Sequence, residues 1–126
     1  MAGPGALLRD GSLQQLTRDH SLVQLQVDRE MLTPEEAKHH PRKNVILRAI
    51  GVDPSDNCDI LNGVALNHDI FLLCSDGLTD MADDSAIQDI LASIGSIQCK
   101  TKSLIDAAIA AGGRDNVTVV LCEVEI

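Results

Sequence analysis

Two apolar runs, each joined to an aspartate beside glycine, constrain the fold of this chain more than any other feature. The first, "DIFLLCSDG" at residues 69–77, passes from an unbroken apolar stretch straight into Ser75, Asp76 and Gly77. The second, "GGRDNVTVVLCEVEI" at residues 112–126, sets Gly112, Gly113 and Asp115 ahead of Asn116 and a run that is continuous, then alternating, in its apolar residues. Short runs of this kind read as strands buried on at least one face. If the two strands are antiparallel neighbours, the end of one lies beside the beginning of the other. Asp76 and Asp115 then emerge at the same edge of one sheet.

Between the runs the pattern changes period. Asp83 or Asp84 can cap a helix carrying Ile87, Ile90, Leu91 and Ile94. A further helical stretch, residues 103–111, continues with Leu104, Ile105, Ala108 and Ile109 until Gly112 and Gly113 stop it. Upstream, residues 6–17 hold two short apolar segments around Asp10-Gly11, a strong hairpin signal. Leu22, Leu25, Val27 and Met31 are spaced loosely as a helix. Thr33, Pro34 and Glu36 form the pattern of a capping box, opening a short helix that ends before Pro41. Residues 44–51 read as a strand followed by turn chemistry, and the runs 60–66 and 69–74, separated by Asn67-His68, suggest another antiparallel pair. Strands grouped in this way point to an α+β domain with an antiparallel sheet.

Composition sets the outer bounds. At 126 residues the chain is the size of one ordinary domain. Its formal net charge of −9 argues against nucleic acid as a partner, and an acidic chain that binds phosphate needs a metal to do so. With Phe71 as its single aromatic residue, the chain has no stacking platform for bases and must build its core from Leu, Ile, Val and Ala. Cys58, Cys74, Cys99 and Cys122 lie far apart with no CxxC pair, and read as reduced core thiols of a cytoplasmic protein. No apolar run approaches the ~18 residues of a membrane span, and the start, "MAGPGALLRDG", has the character of no export signal.

An Asp ahead of Gly at a strand end is ordinarily a turn residue or a helix cap. Two such acids, separated by helices able to return the chain to the same edge, also suit a hard cation such as Mg²⁺ or Mn²⁺. The residues leave both readings open. His20 reads as a structural histidine, His39 and His40 as exposed residues at a helix end, and the Arg42, Lys43 and Arg48 cluster as a solvated basic patch.

"LLCSDGLTD", followed by helix and then "AAGGRDNVTVVLCEV", resembles the C-terminal half of the metal-dependent type-2C (PPM) serine/threonine protein phosphatases of bacterial type. The upstream "LRDGSLQQLTRDHSLVQ" and "LTPEEAKHHPRKNVILRAIG" resemble that family in order and spacing, so the likeness covers nearly the whole chain. The resemblance implies that Asp76 and Asp115 are metal ligands, with Gly77 and Asn116 supporting the site. It implies part of a four-layer αββα sandwich of antiparallel sheets with outer helices, and places a flap-containing region at about residues 18–50 of a partial catalytic domain spanning 1–126. It also implies Mn²⁺ or Mg²⁺ as cofactor, no catalytic group beyond the metal site, phosphorylated proteins as substrates and a cognate Ser/Thr kinase as counterpart. The family's DGxGG segment and its GDSR motif are not present in this sequence, so the N-terminal half of the domain and its bridging aspartate are expected to be missing. The rival expectation is a catalytically inactive phosphatase-like regulatory or interaction module. A smaller set of strands would also leave edges and an apolar sheet face open.

Overall fold

The computed structural model describes residues 4–18, 26, 28–39, 41, 51 and 58–126. The chain divides into two compact units, residues 1–17 with 63–126, and residues 18–62.

The larger unit is built on one sheet of four antiparallel strands. These are β1 (Gly5–Arg9), β2 (Ser12–Gln15), β3 (Ile70–Cys74) and β4 (Val119–Glu123), in the order β2-β1-β3-β4. The expected hairpin is present: β1 and β2 pair from Ala6↔Gln15 to Arg9↔Ser12, and Asp10 and Gly11 both take positive φ, 53° and 75°. That is the backbone twist a two-residue Asp-Gly connection favours. β3 lies in the centre, with β1 on one side and β4 on the other.

Three helices follow β3: α2 (Asp76–Thr79), α3 (Asp84–Ala92) and α4 (Ile97–Ala110), the label α1 being kept for the short helix of the other unit. Alternation along the strands decides which face they cover. Ala6 and Leu8 of β1 share a face with Ile70, Leu72 and Cys74 of β3. That face meets Leu78, Ala82, Ile87, Leu91, Leu104 and Ala108 from the helices in one buried cluster. Leu72, Leu78, Ile87, Leu91 and Leu104 are fully buried, each contributing about 1.5–3 kcal/mol through removal from water. The core is aliphatic, as a chain with one Phe requires. On the opposite face Leu73 and Val120 stay half exposed, 53% and 48%, and Cys122 is exposed.

Several expectations are corrected. Residues 60–66 form no strand and pair with nothing in the sheet, because both edges of β3 are already taken by β1 and β4. Asn67 and His68 still make a turn, with His68 at φ 71°, but the turn leads from an exposed segment into β3. The second long helix begins at Ile97, where the Ser96 hydroxyl accepts a hydrogen bond from the Cys99 N–H at 3.2 Å. Ile94 is outside any helix and fully exposed, since α3 stops at Ala92 and Ser93 turns its hydroxyl back onto the Ile90 carbonyl at 2.6 Å. All four cysteines are free, but Cys74 alone is a core thiol. Cys58, Cys99 and Cys122 are exposed, the last because it points to the sheet face away from the helices.

In the smaller unit, α1 (Pro34–Lys38) opens with the expected capping box. The Glu36 N–H donates to the Thr33 hydroxyl at 3.1 Å, and the Thr33 N–H donates to the Glu36 carboxylate at 3.3 Å. The helix ends before Pro41, and His39 is exposed and paired with Glu35. Arg18 pairs with Asp28. The expected helix around Leu22 and Leu25, the strand at 44–51 and the turn after it fall mostly or wholly outside the described residues, as do His20, His40, Arg42, Lys43 and Arg48.

One partly buried ion pair ties the hairpin to the turn before β3. The Asp69 carboxylate, 2% exposed, accepts from Arg9 Nε at 3.0 Å, from Arg9 Nη2 at 2.6 Å and from the Leu66 N–H at 2.8 Å. The Arg9 hydrogen bond holds the Asp69 carboxyl below its ordinary value, against the opposing effect of burial. A carboxyl with a depressed folded-state value stabilises above the unfolded-chain range and loses that stabilisation as pH falls through it. Urea midpoints should therefore drop as pH falls from about 5 to about 3, and Asp69→Asn should flatten part of that drop. Equal pH slopes in the two proteins would show that the pair does not couple folding to protonation.

Candidate metal centre

β3 and β4 are antiparallel neighbours, paired from Ile70↔Glu123 to Cys74↔Val119. The chain therefore leaves β3 at the edge where it enters β4, and Asp76 and Asp115 stand just beyond that edge. Asp76 opens α2, a single turn. Its carbonyl accepts the Asp80 N–H at 2.8 Å, and Leu78, fully buried two residues on, anchors the turn in the core. Asp115 follows the end of α4, which closes as a Schellman motif. There the Gly113 N–H bonds to the Ala108 carbonyl and the Gly112 N–H to the Ile109 carbonyl, both at 3.1 Å. Gly112 and Gly113 take φ 132° and 54°, which an L side chain rarely tolerates.

The two loops interlock. A Cβ built on Gly77 would stand 2.1 Å from the Asn116 carbonyl oxygen and 2.9 Å from its carbon, so only glycine lets that backbone approach. Ser75, one residue before Asp76, bonds to the segment 116–118. Its N–H donates to the Thr118 carbonyl at 3.0 Å, its hydroxyl accepts from the Thr118 N–H at 3.0 Å, and the same hydroxyl donates to the Asn116 carbonyl at 3.3 Å. Asp115 accepts a hydrogen bond from the Asn116 N–H through Oδ1 at 2.7 Å. Of the four residues singled out in the sequence, Asp76 and Asp115 are thus exposed carboxylates on adjoining loops, and Gly77 and Asn116 are the point where those loops touch.

Two exposed carboxylates present hard oxygen atoms of the kind Mn²⁺ and Mg²⁺ prefer. They offer part of a coordination shell: among the described residues, no three His, Cys, Asp or Glu side chains gather to hold a metal. Burial raises the Cys74 thiol to about 11, and the charge of Asp76 adds to that rise. Sequence reasoning missed Ser75 as a cross-link, although it stands inside the SDG motif. It also missed Asp69, which nothing distinguished from a turn residue.

No protein-family model matches the chain. It is 43% identical over 119 residues to the serine/threonine phosphatase stp of Listeria welshimeri, an alignment covering 94% of this chain and 47% of that protein. The Mycobacterium tuberculosis serine/threonine phosphatase PstP superposes with a TM-score of 0.86 at 40% identity, over 99% of this chain and 52% of that one. A structure of the catalytic domain of PstP in complex with two manganese ions superposes with a TM-score of 0.82 at 40% identity, over 97% of this chain and 50% of that one. The chain belongs to the PPM serine/threonine protein phosphatase family, of bacterial type, and its α+β fold is that of the family. It spans about half the length of the Listeria relative and of the solved phosphatase domains.

The interlocking of the loops predicts the effect of one methyl group. Gly77→Ala should destabilise the chain by about 1–3 kcal/mol, the range for overpacking a fitted contact, read as a lower urea midpoint with an unchanged slope. A midpoint equal to wild type would mean that the 76 and 116 loops are not in contact.

Proposed function

We propose that this chain carries part of the active site of a metal-dependent phosphatase acting on phosphoserine and phosphothreonine in proteins, with Asp76 and Asp115 as ligands of a divalent cation, Mn²⁺ or Mg²⁺. The observation that carries this reading is the β3–β4 register, which delivers two exposed carboxylates to one sheet edge from segments 39 positions apart in sequence. Support comes from the relatives, which are named as serine/threonine phosphatases, and from the manganese in the PstP catalytic domain.

When bound, such a cation acidifies a coordinated water and offsets the charge on the phosphoryl oxygens of a substrate. The chain's own residues hold and orient. Asp76 and Asp115 supply hard oxygen donors, Gly77 admits the backbone of Asn116, and the Asn116 N–H engages one oxygen of Asp115 and leaves the other to a ligand. Two carboxylates fill a minority of an octahedral shell and leave the remainder to water or to further ligands. This partial shell is also what a phosphatase-like binding module without catalysis would present. We place the family's flap at about residues 18–50, within the separate unit formed by residues 18–62. Phosphorylated proteins as substrates, a cognate Ser/Thr kinase and a cytoplasmic setting complete the proposal. Among the described residues no helix is long and apolar enough to cross a membrane.

Isothermal titration of the chain with Mn²⁺ tests the site. Saturable binding should weaken by at least about tenfold in Asp76→Asn and in Asp115→Asn alike, each substitution removing a charged ligand. Binding absent from wild type, or unchanged in both variants, would refute the assignment of these two residues.

A further inference from the structure

Ser75 occupies the N-cap position of α2 in an extended conformation, φ −79° and ψ 165°. A serine there ordinarily turns its hydroxyl onto an N–H two or three residues ahead and satisfies the start of the helix. Ser75 makes no such bond. Its hydroxyl faces across to the loop before β4, accepting from the Thr118 N–H at 3.0 Å and donating to the Asn116 carbonyl at 3.3 Å. Its backbone N–H donates to the Thr118 carbonyl at 3.0 Å.

The side chain thus substitutes for a backbone carbonyl. It carries the β3–β4 ladder one step beyond Cys74↔Val119, the last regular pair. That extra step falls where the chain must leave the sheet, and Asp76 is the next residue. On the other side of Asp76, Gly77 lies against the Asn116 carbonyl. Asp76 is bracketed by two contacts onto one peptide group, that of Asn116 and Val117, which begins one residue after Asp115. A hydroxyl that only began a helix would have no reason to face this way.

We propose that Ser75 is a positioning residue of the cation site, its hydroxyl fixing the Asp76 carboxylate relative to Asp115 so that one ion engages both. The proposal rests on the metal reading of these two carboxylates. Ser75→Ala removes the acceptor for the Thr118 N–H and the donor to the Asn116 carbonyl, while Leu78 still anchors α2 in the core. Two of the ties between the loops are then lost, and an ion meets two carboxylates held less closely together. Ser75→Thr keeps the hydroxyl on an extended backbone that suits a β-branched residue.

The test is paramagnetic broadening of backbone amide signals in the isotopically labelled full chain, titrated with MnCl₂. In wild type the amides of Asp76 and Gly77 should broaden along the same concentration curve as those of Asn116 and Val117. In Ser75→Ala the midpoint should rise about tenfold, the scale of one or two lost hydrogen bonds. Ser75→Thr should restore the wild-type midpoint. A common curve at the wild-type midpoint in Ser75→Ala would overturn the positioning role alone. Failure of Mn²⁺ to broaden either loop in wild type would overturn the metal reading and this inference with it.

Discussion

The pairing of β3 with β4 is the constraint on which the rest of the structure depends. Because side chains alternate along a strand, a slip of one residue would turn the buried face outward. Leu72, fully buried, would exchange places with Leu73, which is half exposed. The same slip would shift Thr118 from Ser75 and Asn116 from Gly77, so the register that packs the core also aligns the acidic loops. Between the strands, α3 and α4 take the chain over the covered face and return it to the edge it left. At about 1.5 Å per residue, α4 alone is about 21 Å long, enough to cross a five-residue strand of about 17 Å.

The two acidic loops are held in place by geometry. Leu78 and the Schellman motif hold the loops from within their own elements, while Ser75 and Gly77 hold them to each other. Among the described residues no ion pair joins a basic side chain to Asp76 or Asp115.

Much of this was legible in the residues. The Asp10-Gly11 hairpin, the Thr33–Glu36 capping box and the stop at Gly112-Gly113 follow from local backbone chemistry, which acts over a few positions and is visible in a short string. What failed depended on distant partners. Residues 60–66 have the composition of a strand, but strand pairing needs a vacant edge, and the β3 edges belong to partners 62–68 positions upstream and 45–53 downstream. The start of α4 was placed late because Ile97 to Lys102 carries little apolar periodicity and the signal lies in Ser96 alone. Cys122 was assigned to the core because its strand is apolar, yet which face of a strand is covered is decided by helices elsewhere. At the site, the proximity of Asp76 to Asp115 followed from assuming antiparallel neighbours. The hydroxyl of Ser75 was read as part of a motif and not as the contact that joins the loops.

The central claim is that the two acidic loops are locked together in the metal-free chain by the extension of the β3–β4 ladder. Nuclear Overhauser contacts measured without metal address it directly. The account predicts contacts between the amide protons of Ser75 and Thr118, and between the α-protons of Gly77 and the Asn116–Val117 backbone, alongside those of the regular Leu72↔Leu121 pair. An intact Leu72↔Leu121 ladder without either loop contact would contradict it.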